Sequence, residues 1–497
     1  MPSAVGYYGK WRIKPSGQLP IFARFMINSA FVKKYAVKNK IKNTIEKRTY
    51  LKHMMYWPAA MYNAFEKEII GHLKKNDGWF EWYVKKNLVA SEKMYKKGLK
   101  YKKMDWSRAS SARMKKVLDE LLETYRELAC GWYAQYPLDE YFETTIEDNL
   151  VDYISGDDHN FRKYVLIFTD PQGMTEVAEE RFKLVSLAKT FLEKREDFNK
   201  FSKTAKTKIE KHLDKYAYIN RGLATSKPYT YSDMAKRLKE FKKQVQKGKK
   251  IKDLIYDASE KKIRDDFKWA LNKIKPKKDF LRIIKQARAH SYMRNRRVEA
   301  FFMGDYGADF MYREIARRVK FNPDWIMDVS VPEMYQALKG MSLPSKEEMK
   351  KRLKDYAMTV SKGKTTLITA PKKIKALEKQ YTVNVKKVAE LHGKMACLGG
   401  IIKGRAKICL DKHEIGKVKS GDILVAQFTT PDFVPAMEKA AAIIADQGGL
   451  SSHAAIVSRE LGVPCVIATY NATRIIKDND LLEINAHTGH IKILRKG

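Results

Sequence analysis

Residues 429–473 read TTPDFVPAMEKAAAIIADQGGLSSHAAIVSRELGVPCVIATYNAT. The apolar run AAIIAD (441–446) reads as a buried strand that ends at Asp446. Gly448 and Gly449 then make a tight loop, where a Cβ would block close approach of the backbone. Ser451 and Ser452 cap a helix expected over 452–461, with His453 in its first turn. The exposed N–H groups and positive dipole end of a helix start suit a phosphate. The same field disfavours imidazolium and helps keep His453 neutral, the nucleophilic form. With an unperturbed pKa of about 6.5, that form is largely available at pH 7. The constellation suits a histidine that accepts a phosphoryl group and passes it on. On its own, a histidine at a helix start is more often a cap or a packed side chain.

The run as a whole resembles the mobile phosphohistidine domain of phosphoenolpyruvate-utilising enzymes. The resemblance rests on Thr429 and Pro431, Pro435, the Gly448-Gly449 loop, Ser452-His453-Ala454-Ala455, Arg459-Glu460-Leu461-Gly462 and Pro464. Residues 400–408 (GIIKGRAKI) look like the family's opening strand. The resemblance implies a swivelling β/β/α fold and places the phosphohistidine on His453. Gly448, Gly449, Ser451, Ser452, Thr430 and Arg459 become the phosphate-stabilising set. Ser451 stands where the family usually has threonine and keeps the hydroxyl. Cys397-Leu398 stands where the family usually has Ser-Pro, which bears on the hinge geometry and not on the chemistry. Arg459 lies six positions after His453, about 240° around a helix. Spacing alone does not bring it to the phosphate, and a salt bridge with Glu460 or Asp446 is the competing reading. Capping competes for Ser452 in the same way. His487 and His490 flank a turn and raise a metal idea, but a solvated hairpin tip is the simpler reading, and no metal site is expected. Cys465 opens an apolar strand and reads as core.

Around this stretch, short apolar runs at 406–410, 422–428, 465–469 and 480–484 and a Thr488-Gly489 turn read as a compact α/β domain over 391–497. Helices are expected at 432–441 and 452–461. Residues 281–390 read as a helical linker-like domain. It has an Arg-rich helix (LRIIKQARAHSYMRNRRVEAFF), a capping-box pair Ser345/Glu348 before a helix 346–357, a hairpin over 358–370 and a helix 371–380. The segment 381–400 is the expected hinge. Residues 1–280 read as a basic, mainly helical region. In 109–130, Met114, Val117, Leu118, Leu121, Leu122 and Tyr125 share one face, and 175–214 and 232–258 read similarly. The eight tryptophans all lie at or before Trp325 and read as packing anchors. The expected class is therefore multidomain, α plus α/β.

With 497 residues, about 150 per domain gives two to four domains. Four scattered cysteines without CxxC spacing exclude a disulfide scaffold and a cysteine-built zinc site, and point to a reducing, cytoplasmic setting. No apolar run reaches the roughly 18–20 residues needed to span a bilayer. The first residues lack an h-region, so no secretory signal is expected. Net charge is +40, of which residues 391–497 supply only +4. The first 45 residues hold nine Lys+Arg and no acid. Such a surface attracts nucleic acid or another polyanion. Against this, 73 of the 98 basic residues are lysine, and solvated helix faces read as well.

The family's chemistry uses an ATP-grasp station, a mobile histidine and an acceptor site. No P-loop pattern is present, the Lys-rich first 270 residues do not read as ATP-grasp, and the three residues past the last strand leave no room for a phosphoenolpyruvate-binding barrel. The order of domains resembles rifampin phosphotransferase. The expectation is a phosphotransfer protein served by a separate ATP-grasp or acceptor protein. The histidine domain itself binds no cofactor, and ATP and Mg2+ belong to that partner or to an unrecognised site. The alternative is a non-catalytic polyanion-binding protein that uses the histidine domain for docking or regulation.

Overall fold

The structure, a computed structural model, describes residues 6–8, 11–15, 40–43, 45, 47–51, 54–155, 160–221, 227–361, 364–381, 390–397, 399–410, 414–429, 433–449 and 452–497. They fall into two compact units. The described residues of 18–47 and 61–370 make one, and those of 1–17, 48–60 and 371–497 make the other.

The first unit is helical. Its elements are α1 (Ala59–Lys75, opening at the unit boundary), α2 (Trp79–Lys102), α3 (Ser111–Leu150), α4 (Phe161–Thr169), α5 (Glu176–Glu193), α6 (Lys203–Tyr216), α7 (Tyr218–Arg221), α8 (Tyr231–Gln246), α9 (Ile251–Asp257), α10 (Glu260–Ile274), α11 (Lys278–Arg318), α12 (Val331–Leu338) and α13 (Lys346–Lys354). All six apolar residues picked out between 114 and 125 are buried. The helix runs 20 residues beyond the expected end because Leu138, Phe142, Ile146 and Leu150 continue a buried stripe. Pro137 removes one helical donor without ending it. The expected helix 175–214 is two, α5 and α6, broken where Arg195 takes φ 52° and Ser202 caps the next start. The stretch 232–258 likewise divides at Gly248 (φ 94°). Leu184, Phe191, Phe201, Ile209 and Leu238 join these short helices in a satellite core.

Helix α11, 41 residues long, packs against α2 and α3. The boundary expected at residue 280 falls inside it, and beyond residue 61 the chain passes from one unit to the other at 370/371. Ser345 accepts from Glu348 N at 3.3 Å and caps α13. That helix stops at Lys354, three residues short of the expected end, because β5 (Ala357–Ser361) takes over and pairs antiparallel with β6 (Lys364–Ile368).

One buried cluster of this unit carries a pH dependence. Glu299 Oε1 accepts from Glu176 N at 2.6 Å at the start of α5, and Arg296 Nη1 donates to Glu299 Oε2 at 2.8 Å and Glu176 Oε1 at 3.2 Å. Burial raises the Glu299 carboxyl from 4.5 to about 7; Arg296 opposes this and the Glu176 carboxylate adds to it. A carboxyl with a raised folded pKa contributes stability that is full below its unfolded value and is lost as pH rises through about 7. Glu299→Gln removes that slope. Relative to wild type, the variant should gain up to about 3 kcal/mol between pH 4.5 and 8. Denaturant unfolding of both proteins across that range reads it; parallel curves would refute it.

The second unit holds the mixed sheets. Strands β1 (Gly6–Tyr8), β2 (Trp11–Pro15), β3 (Arg48–Leu51) and β4 (Met54–Pro58) pair antiparallel in the order β1-β2-β4-β3. Residues 1–280 are therefore not uniformly helical: four strands near the start belong with the C-terminal unit. Helix α14 (Pro371–Tyr381) packs on β3, with Tyr381 Oη 2.8 Å from Thr49 Oγ1.

The C-terminal sheet contains β7 (Glu390–His392), β8 (Lys394–Cys397), β9 (Ile401–Cys409), β10 (Ile423–Ala426), β11 (Ala442–Ala445), β12 (Cys465–Ile467), β13 (Leu481–Asn485) and β14 (His490–Arg495). Their order is β7-β14-β13-β9-β10-β11-β12-β8. Strands β9 to β12 are parallel, and the flanking pairs are antiparallel. Parallel strands are covered on both faces and so read as continuous apolar runs. The runs ILVA of β10, AIIA of β11 and CVI of β12 are buried at every position. Three short helices connect them: α15 (Val434–Met437), shorter than the expected 432–441, α16 (His453–Leu461) and α17 (Ala472–Ile475). Within the expected hinge, residues 382–389 and 398 lie outside the described set.

Candidate phosphohistidine site

The site forms where β11 ends. Asp446 N donates to Ala426 O and Gln447 N to Gln427 O, both at 3.0 Å, so the chain stays in register with the end of β10 before it turns. Gly448 then takes φ +119°, and a Cβ there would lie 2.5 Å from Ser452 Oγ. The turn thus needs glycine for both its torsion and its space. Ser452 N donates to Gly449 O at 2.9 Å, and Ser452 Oγ accepts from Ala455 N at 3.3 Å. Ser452 is therefore the N-cap of α16, and His453 is its first helical residue. Ala454, Ala455 and Ser458 are buried and fix this helix over the sheet. It ends at Gly462, φ +69°, and the chain enters β12 at Cys465, which is buried as expected. The result is a β-loop-helix-β unit with the histidine at the helix start, where backbone donors and the positive dipole end meet.

Gly448, Gly449 and Ser452 are thus brought together beside the start of α16. The side chains of His453 and Arg459 lie outside the described set, as do Thr430 and Ser451 entirely. His487 sits in the exposed turn, while His490 stacks on His392 with ring centroids 4.6 Å apart and lies 3.3 Å from Glu390. Among the described residues, no group of three His, Cys, Asp or Glu is placed to hold a metal ion.

Asp446 does more than end the strand. It is fully buried, and its carboxylate accepts from the Thr469 hydroxyl at 2.9 Å, from Thr473 N at 3.3 Å and from the Thr473 hydroxyl. Its own carbonyl accepts from Tyr470 N at 3.0 Å. Burial raises its carboxyl pKa, and the hydroxyl bonds oppose that shift. The loop it holds is strained: Ala468 and Tyr470 take φ 57° and 62° without being glycine. From the sequence, Asp446 is expected only as a strand end or an ion-pair partner for Arg459. The usable signal was the pair of threonines, Thr469 and Thr473, set one helical turn apart just past β12.

Residues 418–489 match the model of the family described as "PEP-utilising enzyme, mobile domain". The C-terminal domain is a PEP-utilising enzyme mobile domain. It is 53% identical over 90 residues to a probable phosphoenolpyruvate synthase of Methanothermobacter thermautotrophicus, covering 18% of this chain and 13% of that protein. The same identity and length hold for a phosphoenolpyruvate synthase of Pyrococcus furiosus, at 18% and 11%. A probable phosphoenolpyruvate synthase of Pyrococcus abyssi is 42% identical over 138 residues, 27% of this chain and 17% of its own. The chain thus spans less than a fifth of these relatives. Among the described residues, no helix is long and apolar enough to cross a membrane.

Proposed function

We propose that this chain is a phosphotransfer protein in which His453 is transiently phosphorylated and hands the phosphoryl group to an acceptor. The observation that carries the reading is the Gly448-Gly449 turn delivering His453 to a Ser452-capped helix start, within a domain similar to that of phosphoenolpyruvate synthases. In the first step an imidazole nitrogen attacks phosphorus, an N–P bond forms, and the donor's P–O bond breaks with its electron pair leaving on the donor oxygen. In the second, an acceptor oxygen attacks, the N–P bond breaks, and the imidazole is returned neutral. Backbone N–H groups at the start of α16, with the hydroxyls of Ser451 and Ser452, hold the phosphoryl oxygens; Thr430 and Arg459 complete the set. ATP or phosphoenolpyruvate is the donor, and ATP with Mg2+ is handled by a separate ATP-grasp-type partner. Labelling tests this. The purified chain is incubated with extract of its source cells and β-labelled ATP, γ-labelled ATP or labelled phosphoenolpyruvate in turn. Acid-labile, base-stable label is expected from one donor, which identifies the missing station. No such label from any of the three would refute the reading.

A second reading has one observation in its favour. Lys93, Lys96, Lys97 and Lys100 line a surface groove of about 490 Å³ along α2 with Val89 and Glu92. Lys97 Nζ is taken by the Glu120 carbonyl and the Thr124 hydroxyl on α3, and the ammonium groups of Lys93, Lys96 and Lys100 suit the spaced phosphates of a nucleic acid. Binding to single-stranded RNA should then weaken steeply with salt. Replacing Lys93, Lys96 and Lys100 by glutamine should flatten the log–log slope by roughly 0.7 per lost contact. An unchanged slope would remove the groove from consideration.

A further inference from the structure

Strands β7 and β8 are consecutive in the chain but stand at opposite ends of the C-terminal sheet order. Gly393 alone separates them. Its N–H donates to Gly489 O at 2.9 Å, in the turn before β14, and a Cβ on it would lie 2.5 Å from Ile467 O at the end of β12. Residues 390–397 therefore strap the two edges of the sheet together. One half, β7, pairs with β14, and the other, β8, pairs with β12. Strand β8 has four residues, and a register shift between Cys465 and Val466 interrupts its ladder. So short and irregular a pairing puts the strap among the parts of the sheet that open most easily.

The strap ends at Cys397, and its partner across the ladder is Cys465 of β12. Opposed residues of an antiparallel pair share a face, with Cα atoms about 4.5–5.5 Å apart. A disulfide takes Cα atoms about 4.4–6.8 Å apart, so the register meets its requirement without moving the backbone. The flanking chain is equally close: a Cβ on Gly399 would lie 2.3 Å from Pro464 Cγ. Both cysteines are thiols. They differ in access. Cys465 is buried, with its Sγ 3.9 Å from the Ala454 carbonyl of α16. Cys397 is half-buried and is the one that a small oxidant reaches first. A reachable thiol backed by a second thiol is the arrangement in which an attacking and a resolving cysteine work together.

We propose that Cys397 and Cys465 form a reversible disulfide, by exchange with a low-molecular-weight disulfide, and that the bond staples the strap to β12. The Cys397 thiolate attacks one sulphur of the small disulfide, a mixed disulfide forms, and one small thiolate leaves. The Cys465 thiolate then attacks Cys397 Sγ, the protein S–S bond forms, and the second small thiolate leaves. Two protein thiols are oxidised, the small disulfide is reduced to two thiols, and these take up the two protons that the cysteines lose. An excess of small thiol runs the same steps backwards and frees the strap. This site goes beyond the phosphohistidine reading and does not depend on it.

The test uses the full chain under native conditions, equilibrated with oxidised glutathione and then with dithiothreitol. After each treatment the remaining thiols are alkylated and the peptides are mapped by mass spectrometry without reduction. A peptide pair joined through Cys397 and Cys465 is expected after the first treatment and its loss after the second. Hydrogen exchange reads the staple: amide protection over 394–397 should rise at least about tenfold in the oxidised protein, because the strap can no longer leave β12. Cys397→Ser should show neither the link nor the rise. Separate alkylation of Cys397 and Cys465 after the oxidising treatment, a glutathione adduct on Cys397 that goes no further, or equal protection over 394–397 in oxidised and reduced protein would each overturn the proposal.

Discussion

His453→Ala should bring acid-labile label on the chain to background while leaving its stability within about 0.5 kcal/mol of wild type. The contrast follows from where His453 stands. It is the first residue of α16, and the cap beside it is made by Ser452. Alanine is a better helix former than histidine, so the backbone loses nothing at this position. The chemistry loses its only proposed nucleophile. A phosphoramidate hydrolyses in acid and survives base, whereas a phosphoester on Ser451 or Ser452 does the reverse. The lability of the label therefore separates His453 from its hydroxyl neighbours without further variants. Acid-labile label that persists in His453→Ala would put the phosphoryl group on another nitrogen of the chain.

The mobile domain was legible because its signals are local. The Gly-Gly turn, the serine cap and the histidine lie within six residues, and the flanking apolar runs appear as β10, β11 and β12. Helical periodicity found α3 and its buried face for the same reason. What escaped is non-local. The strands over 6–8, 11–15, 48–51 and 54–58 are short and lack a clean period of two, and the two hairpins they form are joined by the β2–β4 pairing, which reaches from Pro15 to Met54. Tyr56 shows how far such contacts reach: its ring lies 4.6 Å from that of Tyr381, and its hydroxyl accepts from Arg474 at 3.0 Å. Nothing near position 56 announces a residue more than 400 positions away. The same holds within the site. Gly448 could be read from its sequence neighbours, but the task of Asp446 depends on Thr469 and Thr473, beyond the next helix and strand.

Asp446→Ala should loosen the loop after β12 and slow phosphorylation of His453 with it. Four donors converge on this residue: the hydroxyls of Thr469 and Thr473 and the amide of Thr473 on its carboxylate, and the amide of Tyr470 on its carbonyl. Alanine keeps the last, leaves the Thr469 hydroxyl to the Ala445 carbonyl at 3.2 Å, and strips the Thr473 amide and hydroxyl of their acceptor, at about 1–3 kcal/mol each. Part is recovered if water enters, so the expected loss is about 3–4 kcal/mol. Amide hydrogen exchange reads it locally, which suits a chain of two units better than a single unfolding midpoint. Protection at Thr473 should fall by roughly 10² to 10³. Asp446→Asn keeps one oxygen for the Thr473 amide, and the Thr473 hydroxyl can turn to accept from the new NH2 group, so its loss should be nearer 1 kcal/mol. The sign of the pH effect separates the two substitutions further. Burial raises the Asp446 carboxyl pKa, so its contribution is full at acid pH and declines as pH rises through that raised value. The deficit of Asp446→Asn should therefore be largest near pH 4 and shrink toward neutrality. Unchanged protection at Thr473 in Asp446→Ala would mean that the strained Ala468 and Tyr470 torsions are held by packing on Ala472 and Ile476, and that the carboxylate is a passenger in the turn that presents His453.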